Sequence, residues 1–151
     1  MATTTATLSI ASADLLPSSP LSISASSTLM KADTSIGLHM MESGSGELTV
    51  AASNGGVVLK EASVAGENTA AKVYICNKAT DPTYYIVVKI HNTIIGRLYS
   101  GDWMFMPWSQ GGTATGSLIE GDEISLESEV GTCPYEWAIF KEGETMAART
   151  A

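Results

Sequence analysis

The sequence predicts an all-β protein: an antiparallel sandwich or jelly-roll-like domain with an extended Ser/Thr-rich N-terminal β arm. Apolar residues recur with a period of two in short runs, turn residues separate those runs at the spacing of a sandwich, and no segment carries a helical stripe longer than two turns. Composition divides the chain in the same sense. All ten aromatic residues fall between Tyr74 and Phe140, whereas residues 1–35 hold 21 Ser, Thr or Ala and three charges. An aromatic side chain buries roughly 150–250 Å². The self-sufficient core is therefore expected over 71–142, around Tyr74, Tyr84, Phe105 and Trp137, with an arm over 1–35, a hairpin region over 36–70 packed on the core, and a tail over 143–151.

Taken in order, Leu8 and Ile10 alternate with Thr7 and Ser9, and Leu21, Ile23 and Ala25 alternate with Ser22, Ser24 and Ser26, which is strand periodicity. Pro17 and Pro20 lie between these runs, and proline cannot donate to a ladder, so 14–20 reads as a connection. Glu47 to Ala52 and Gly56 to Glu61 flank Ser53-Asn54-Gly55, where Asn-Gly supplies the positive φ angles of a tight hairpin. Ser43-Gly44-Ser45-Gly46 and Gln110-Gly111-Gly112 read as turns, since neither opens a helix whose N-terminus would cradle an anion.

Six further strands are predicted at Lys72 to Asn77, Thr83 to His91, Thr93 to Tyr99, Asp102 to Trp108, Asp122 to Ser128 and Pro134 to Lys141. Asp81-Pro82, Ser100-Gly101, Glu120-Gly121 and Gly131 punctuate them. In the second of these, Tyr84, Ile86, Val88 and Ile90 form the core face. In the fourth, Trp103 and Phe105 face one way and Met104, Met106 and Trp108 the other, all large and apolar. A two-layer sandwich buries one face of each strand, so the second face needs a cover from the N-terminal segment or another subunit.

Charge and motifs exclude several functions. With 16 acidic against 8 basic side chains the net charge is −8, so a nucleic acid or an anionic membrane is not an expected partner. The longest apolar runs fall far short of the roughly 20 residues of a spanning helix, and the start lacks the cationic region of a secretory signal, so a soluble protein made in the cytoplasm is expected. Cys76 and Cys133 are too few for a disulfide framework and lack zinc-ligand spacing; two buried thiols or one bridge remain open. No His-Glu-x-x-His, Gly-x-Ser-x-Gly or phosphate-loop pattern occurs, so no catalytic residue, metal or cofactor is expected. His39 and His91 read as structural. Glu120, Asp122 and Glu123 could hold calcium, but without the spaced Asp/Asn/Gly loop they read as a solvated face with Glu127 and Glu129. Trp103, Trp108 and Trp137 with Tyr84, Tyr85 and Tyr99 could stack on a sugar, though filling the sandwich or a subunit contact explains them more simply.

One likeness extends this reading. Lys72-Val73-Tyr74-Ile75-Cys76-Asn77, Tyr84 to Ile90, Ile95 through Ser100-Gly101-Asp102-Trp103 to Trp108, and Tyr135-Glu136-Trp137-Ala138-Ile139-Phe140 together resemble the small virion proteins of tailed bacteriophages, of the cyanophage-like capsid decoration or cement type. The Ser/Thr-rich alternation from Thr3 to Leu29 is similar to theirs as well. The resemblance implies a non-enzymatic protein of the virion surface that binds the major capsid protein and stabilises the head, and that associates with itself, as a trimer in one arrangement. A tail or fibre component and a glycan-binding sandwich share the architecture and are the alternatives. Leu8, Ile10, Leu21, Ile23, Trp103, Met104, Met106 and Trp108 are the expected inter-subunit contacts.

Overall fold

A computed structural model of the chain describes residues 4–13, 21–30, 37–38, 40–50, 56–60, 70–90, 93–109 and 123–141. They form ten strands: β1 (Thr5–Ser12), β2 (Leu21–Thr28), β3 (Met40–Leu48), β4 (Val57–Lys60), β5 (Ala70–Asn77), β6 (Tyr85–Ile90), β7 (Thr93–Tyr99), β8 (Trp103–Ser109), β9 (Ile124–Ser128) and β10 (Cys133–Lys141). The fold is all-β. β1 and β2 make a two-stranded hairpin; β3-β10-β5-β8 and β4-β9-β6-β7 make two four-stranded sheets, with every strand pair antiparallel. Among the described residues no helix is long and apolar enough to cross a membrane.

The two sheets close on one core. Val73, Ile75, Tyr135 and Ile139 from the first sheet meet Ile86, Val88, Ile124 and Leu126 from the second in one buried cluster. The expected inner face of β6 is the observed one, with Ile86 and Val88 fully buried and Tyr84 and Ile90 packed against the cluster. Asn77 ties the layers together: it is fully buried, its amide donates to Leu98 O at 2.9 Å, and its side-chain oxygen accepts from Ala79 N–H at 2.9 Å. The Ser100-Gly101 turn between β7 and β8 needs Gly101, whose φ of 81° disfavours any residue with a Cβ.

Three expectations are corrected. β3 pairs with β10 and β4 with β9, so the segments flanking Asn54-Gly55 join different sheets and do not pair as a hairpin; Ser53, Asn54 and Gly55 themselves lie outside the described residues. The sandwich thus takes two of its four edge strands, β3 and β4, from the region before residue 71. Ser43-Gly44-Ser45-Gly46 is the middle of β3 rather than a turn. A Cβ at Gly44 would stand 2.9 Å from the indole nitrogen of Trp137, and one at Gly46 2.8 Å from the hydroxyl of Tyr135, so the glycines leave room for two aromatic rings to lie across the strand. Finally, Tyr74 and Phe105, expected in the core, point outward. Tyr74 alternates with the buried Val73 and Ile75, and Phe105 is paired with Tyr74 across β5 and β8.

Candidate functional site

The outer face of the β3-β10-β5-β8 sheet, called here the aromatic sheet, is the unusual surface. Register sets its rows: Phe140 beside Met41 and Lys72, Tyr74 beside Ala138 and Phe105, and Cys76 between Glu136 and Trp103. Tyr74 and Trp103 approach with ring centroids 6.5 Å apart, as do Phe105 and Phe140, both tilted as ring quadrupoles favour. Trp103 and Phe105 nevertheless stay 52% and 38% exposed.

The hairpin stands over this face. Directly paired residues point to the same side, so Leu8 with Ala25 and Ile10 with Ile23 share one face, while Thr7 with Ser26 and Ser9 with Ser24 share the other. Backbone bonds from Leu29 N–H to Thr4 O at 2.8 Å and from Leu38 N–H to Leu29 O at 2.7 Å fix its base, where Leu29 and Leu38 are buried. Between hairpin and sheet lies a half-open groove of about 580 Å³, within the range of small-ligand pockets. Ala6, Leu8 and Ala25 wall it on one side and Tyr74, Trp103, Phe105 and Phe140 on the other; no lining residue is charged.

Its only titratable side chain is Tyr74. Burial first, then the neighbouring Cys76 and Glu136, push its phenol up to about 12. The neutral hydroxyl donates to Glu136 Oε1 at 3.3 Å, and Lys78 faces the same carboxylate at 3.6 Å. Beyond Tyr74 the groove offers Thr and Ser hydroxyls, which can orient a ligand but have no base beside them in the lining.

The expected contact residues separate into two groups. Leu8 is half-buried in the groove; Ile10, Leu21 and Ile23 continue its face outward and are exposed, and Trp103 is exposed at the groove mouth. Met104, Met106 and Trp108 are not surface residues: Trp108 belongs to the core cluster and both methionines pack against it, because the inner side of β8 faces the opposite sheet. The aromatic platform is corrected too. Trp108 and Trp137 lie inside, Tyr85 and Tyr99 pair at 5.3 Å on the outer face of the second sheet, and only Trp103 of the three tryptophans is exposed. Met41, Tyr74 and Phe140 were missed as surface residues, although the period of β10 alone puts Glu136, Ala138 and Phe140 on one face.

Both cysteines are buried thiols, Cys76 on the outer side of β5 and Cys133 within the core cluster, so they do not form a bridge. His39, His91, Glu120, Asp122 and Gln110 to Gly112 lie outside the described residues. No protein-family model matches this chain, and no curated protein or solved structure is significantly similar to it.

Proposed function

We propose that the chain is a non-enzymatic structural protein of a bacteriophage particle, a decoration protein that binds the outer capsid lattice and stabilises the head. The observation that carries this reading is the hairpin: two eight-residue strands without a single charge, standing off the sandwich in a chain of net charge −8 and presenting Ile10, Leu21 and Ile23 to the outside. A two-stranded ribbon is marginal by itself in water, so an apolar one held at the surface is suited to completion by a neighbour. A protein that binds only the assembled, expanded shell stabilises that shell by its binding free energy at every site. Its partners on this reading are the major capsid protein and further copies of itself, and its place is the virion surface.

The test is binding of the full chain to expanded and to immature shells. Saturable binding to expanded shells alone, lost on Ile10→Ser with Ile23→Ser, is expected; binding to neither form, or equal binding to both, overturns the reading. A second reading, a glycan-binding module of a tail or fibre, draws on Trp103 at the mouth of the groove, since an exposed indole face can stack on a sugar ring. Specific binding on a glycan array that Trp103→Ala abolishes would decide for it, and imaging the chain on a particle separates head from tail.

A further inference from the structure

The groove is only half filled by its own hairpin. Its lining takes Thr4 to Leu8 and Ala25 to Ser27, and the strands then run on past it, turning Ile10, Leu21 and Ile23 to the same side as Leu8 at 44%, 36% and 44% exposure. Eight residues of strand span about 26 Å, so the outer half of the hairpin reaches well past the seated half. On the sheet, Met41 at the β3 edge and Trp103 and Phe105 at the opposite β8 edge are left uncovered, so a chain segment covering all three must run across the sheet from one edge to the other. One chain therefore carries an apolar finger and an apolar shelf, each incomplete.

We propose that a second copy of this chain completes both: the outer half of each hairpin lies across the aromatic sheet of the other copy, in a reciprocal two-fold contact. Three observations select this occupant. The first is area. The six side chains just named expose roughly 500 Å² per copy, so covering them in both copies removes about 1,000 Å² of apolar surface, which with a polar rim reaches the ~1,200 Å² of a stable pair. The second is charge. Two copies of net charge −8 repel, but residues 4–13 and 21–30 contain no Asp, Glu, Lys, Arg or His, and neither does the groove lining, so the copies can meet here with the least repulsion. The third is reciprocity. Finger and shelf are on the same chain, and a two-fold contact satisfies both at once and closes, whereas a head-to-tail contact leaves one of each open and propagates. The inference deepens the assembly reading above: a second copy covers the hairpin's apolar face, and the pair rather than the lone hairpin is what meets the lattice; it rests on that reading for its purpose but not for its test.

The test uses the full chain. Sedimentation equilibrium over 1–200 µM is expected to show a monomer–dimer equilibrium, and Ile10→Ser with Ile23→Ser to weaken it by roughly 100-fold. Both residues are exposed, so the variant keeps its fold, which an unchanged thermal melt verifies. Ile94→Ser, an equally exposed residue on the second sheet, is expected to leave the dimer intact. Mixing one chain carrying Ile23→Cys with another carrying Met41→Cys and oxidising gently should give the mixed disulfide-linked pair. A chain that stays monomeric throughout, a dimer indifferent to the hairpin substitutions, or one dissolved by Ile94→Ser overturns the proposal; so does a monomer that binds an apolar dye in the groove. A dimer that ignores phage shells refutes only the lattice reading, and a monomer that decorates them refutes only this one.

Discussion

The two outer faces of the sandwich are built from the same kind of strand and end in opposite states. On the β4-β9-β6-β7 sheet the centre of the outer face is Val87, which is fully buried although no further sheet among the described residues lies over it. Its register partners are Arg97 and Glu127. Glu127 pairs with Lys89, Arg97 pairs with Glu129 and lies 5.2 Å over the ring of Tyr85, and Tyr85 donates its hydroxyl to Glu129. Long side chains flanking the valine in this way can lay their hydrocarbon stems over it and keep their charged ends in water. On the aromatic sheet the outward neighbours of the rings include the long Met41, Lys72 and Glu136 as well as the short Ala138, yet Trp103 and Phe105 stay 52% and 38% exposed and no ion pair bridges over them among the described residues. A face is thus closed by what its long side chains have to span as much as by their polarity, and the aromatic face has been left for something outside the sheet.

This contrast presumes that both faces belong to one body, and the largest predicted effect attacks that premise. Asn77→Ala removes the amide that bonds Leu98 O from one sheet to the other and strands the N–H of Ala79. The expected cost is about 3 kcal/mol in urea unfolding, with an unchanged m-value. A cost below about 1 kcal/mol, or two separate transitions, would mean that the sheets unfold independently.

The next prediction sharpens the contrast itself. Val87→Ala opens a cavity beneath the ion pairs and is expected to cost about 1–2 kcal/mol. Met41→Ala removes a larger side chain from the other face, yet Met41 is 60% exposed, so the isolated chain should lose less than about 0.5 kcal/mol. The reverse order would show that the aromatic face is already covered within a single chain.

Much of this arrangement was readable from alternation alone, but not the sense of each face. β5 to β10 follow from period-two apolar residues and from the turn residues between them, because a strand with one buried face leaves that imprint in hydropathy. In β8 both faces are apolar, so the same period separates Trp103 and Phe105 from Met104, Met106 and Trp108 without saying which set is inside; that is decided by the packing of a distant strand. β3 fails for a different reason. Its inner positions are glycines shaped to the rings of Trp137 and Tyr135, nearly a hundred residues away, and a missing side chain leaves no hydropathic signal. Asn54-Gly55 announces a reversal of the chain, but a turn signal does not choose the partner of the strands it separates.

A smaller effect is a pH dependence of the aromatic face, tested against Tyr85 on the other sheet, whose phenol is also raised by its hydrogen bond to Glu129. The Tyr74 phenol is raised from 10.0 to about 12 by burial, Cys76 and Glu136, so the folded state favours its neutral form. The associated stability is fully present below pH 10 and is lost as pH rises from 10 toward 12. Tyr74→Phe should flatten that part of the stability profile while leaving neutral pH almost unchanged. An unaltered alkaline slope in the variant would place the titrating group elsewhere.

The smallest effects come from the ion pairs, and they test whether charge or hydrocarbon closes the second face. Lys89 and Glu127 are about one-fifth exposed, so a double-mutant cycle should give a coupling near 1 kcal/mol; Arg97 and Glu129, about half exposed and 3.8 Å apart, should give no more than ~0.3 kcal/mol. Molar salt should erase the second coupling and leave much of the first. Yet Arg97→Ala is expected to cost more than its coupling to Glu129, because it also uncovers Val87 and vacates the ring of Tyr85, whereas Glu129→Gln, which keeps its stem, should cost little. If salt alone made Val87→Ala harmless, the charges would be what keeps the valine dry. If the valine stays protected in salt, the stems do it, and the aromatic sheet shows what happens where stems flank wide rings instead of a single valine: Met41, Lys72 and Glu136 stand on that face, yet Trp103 and Phe105 stay exposed, so covering them takes a second layer of chain.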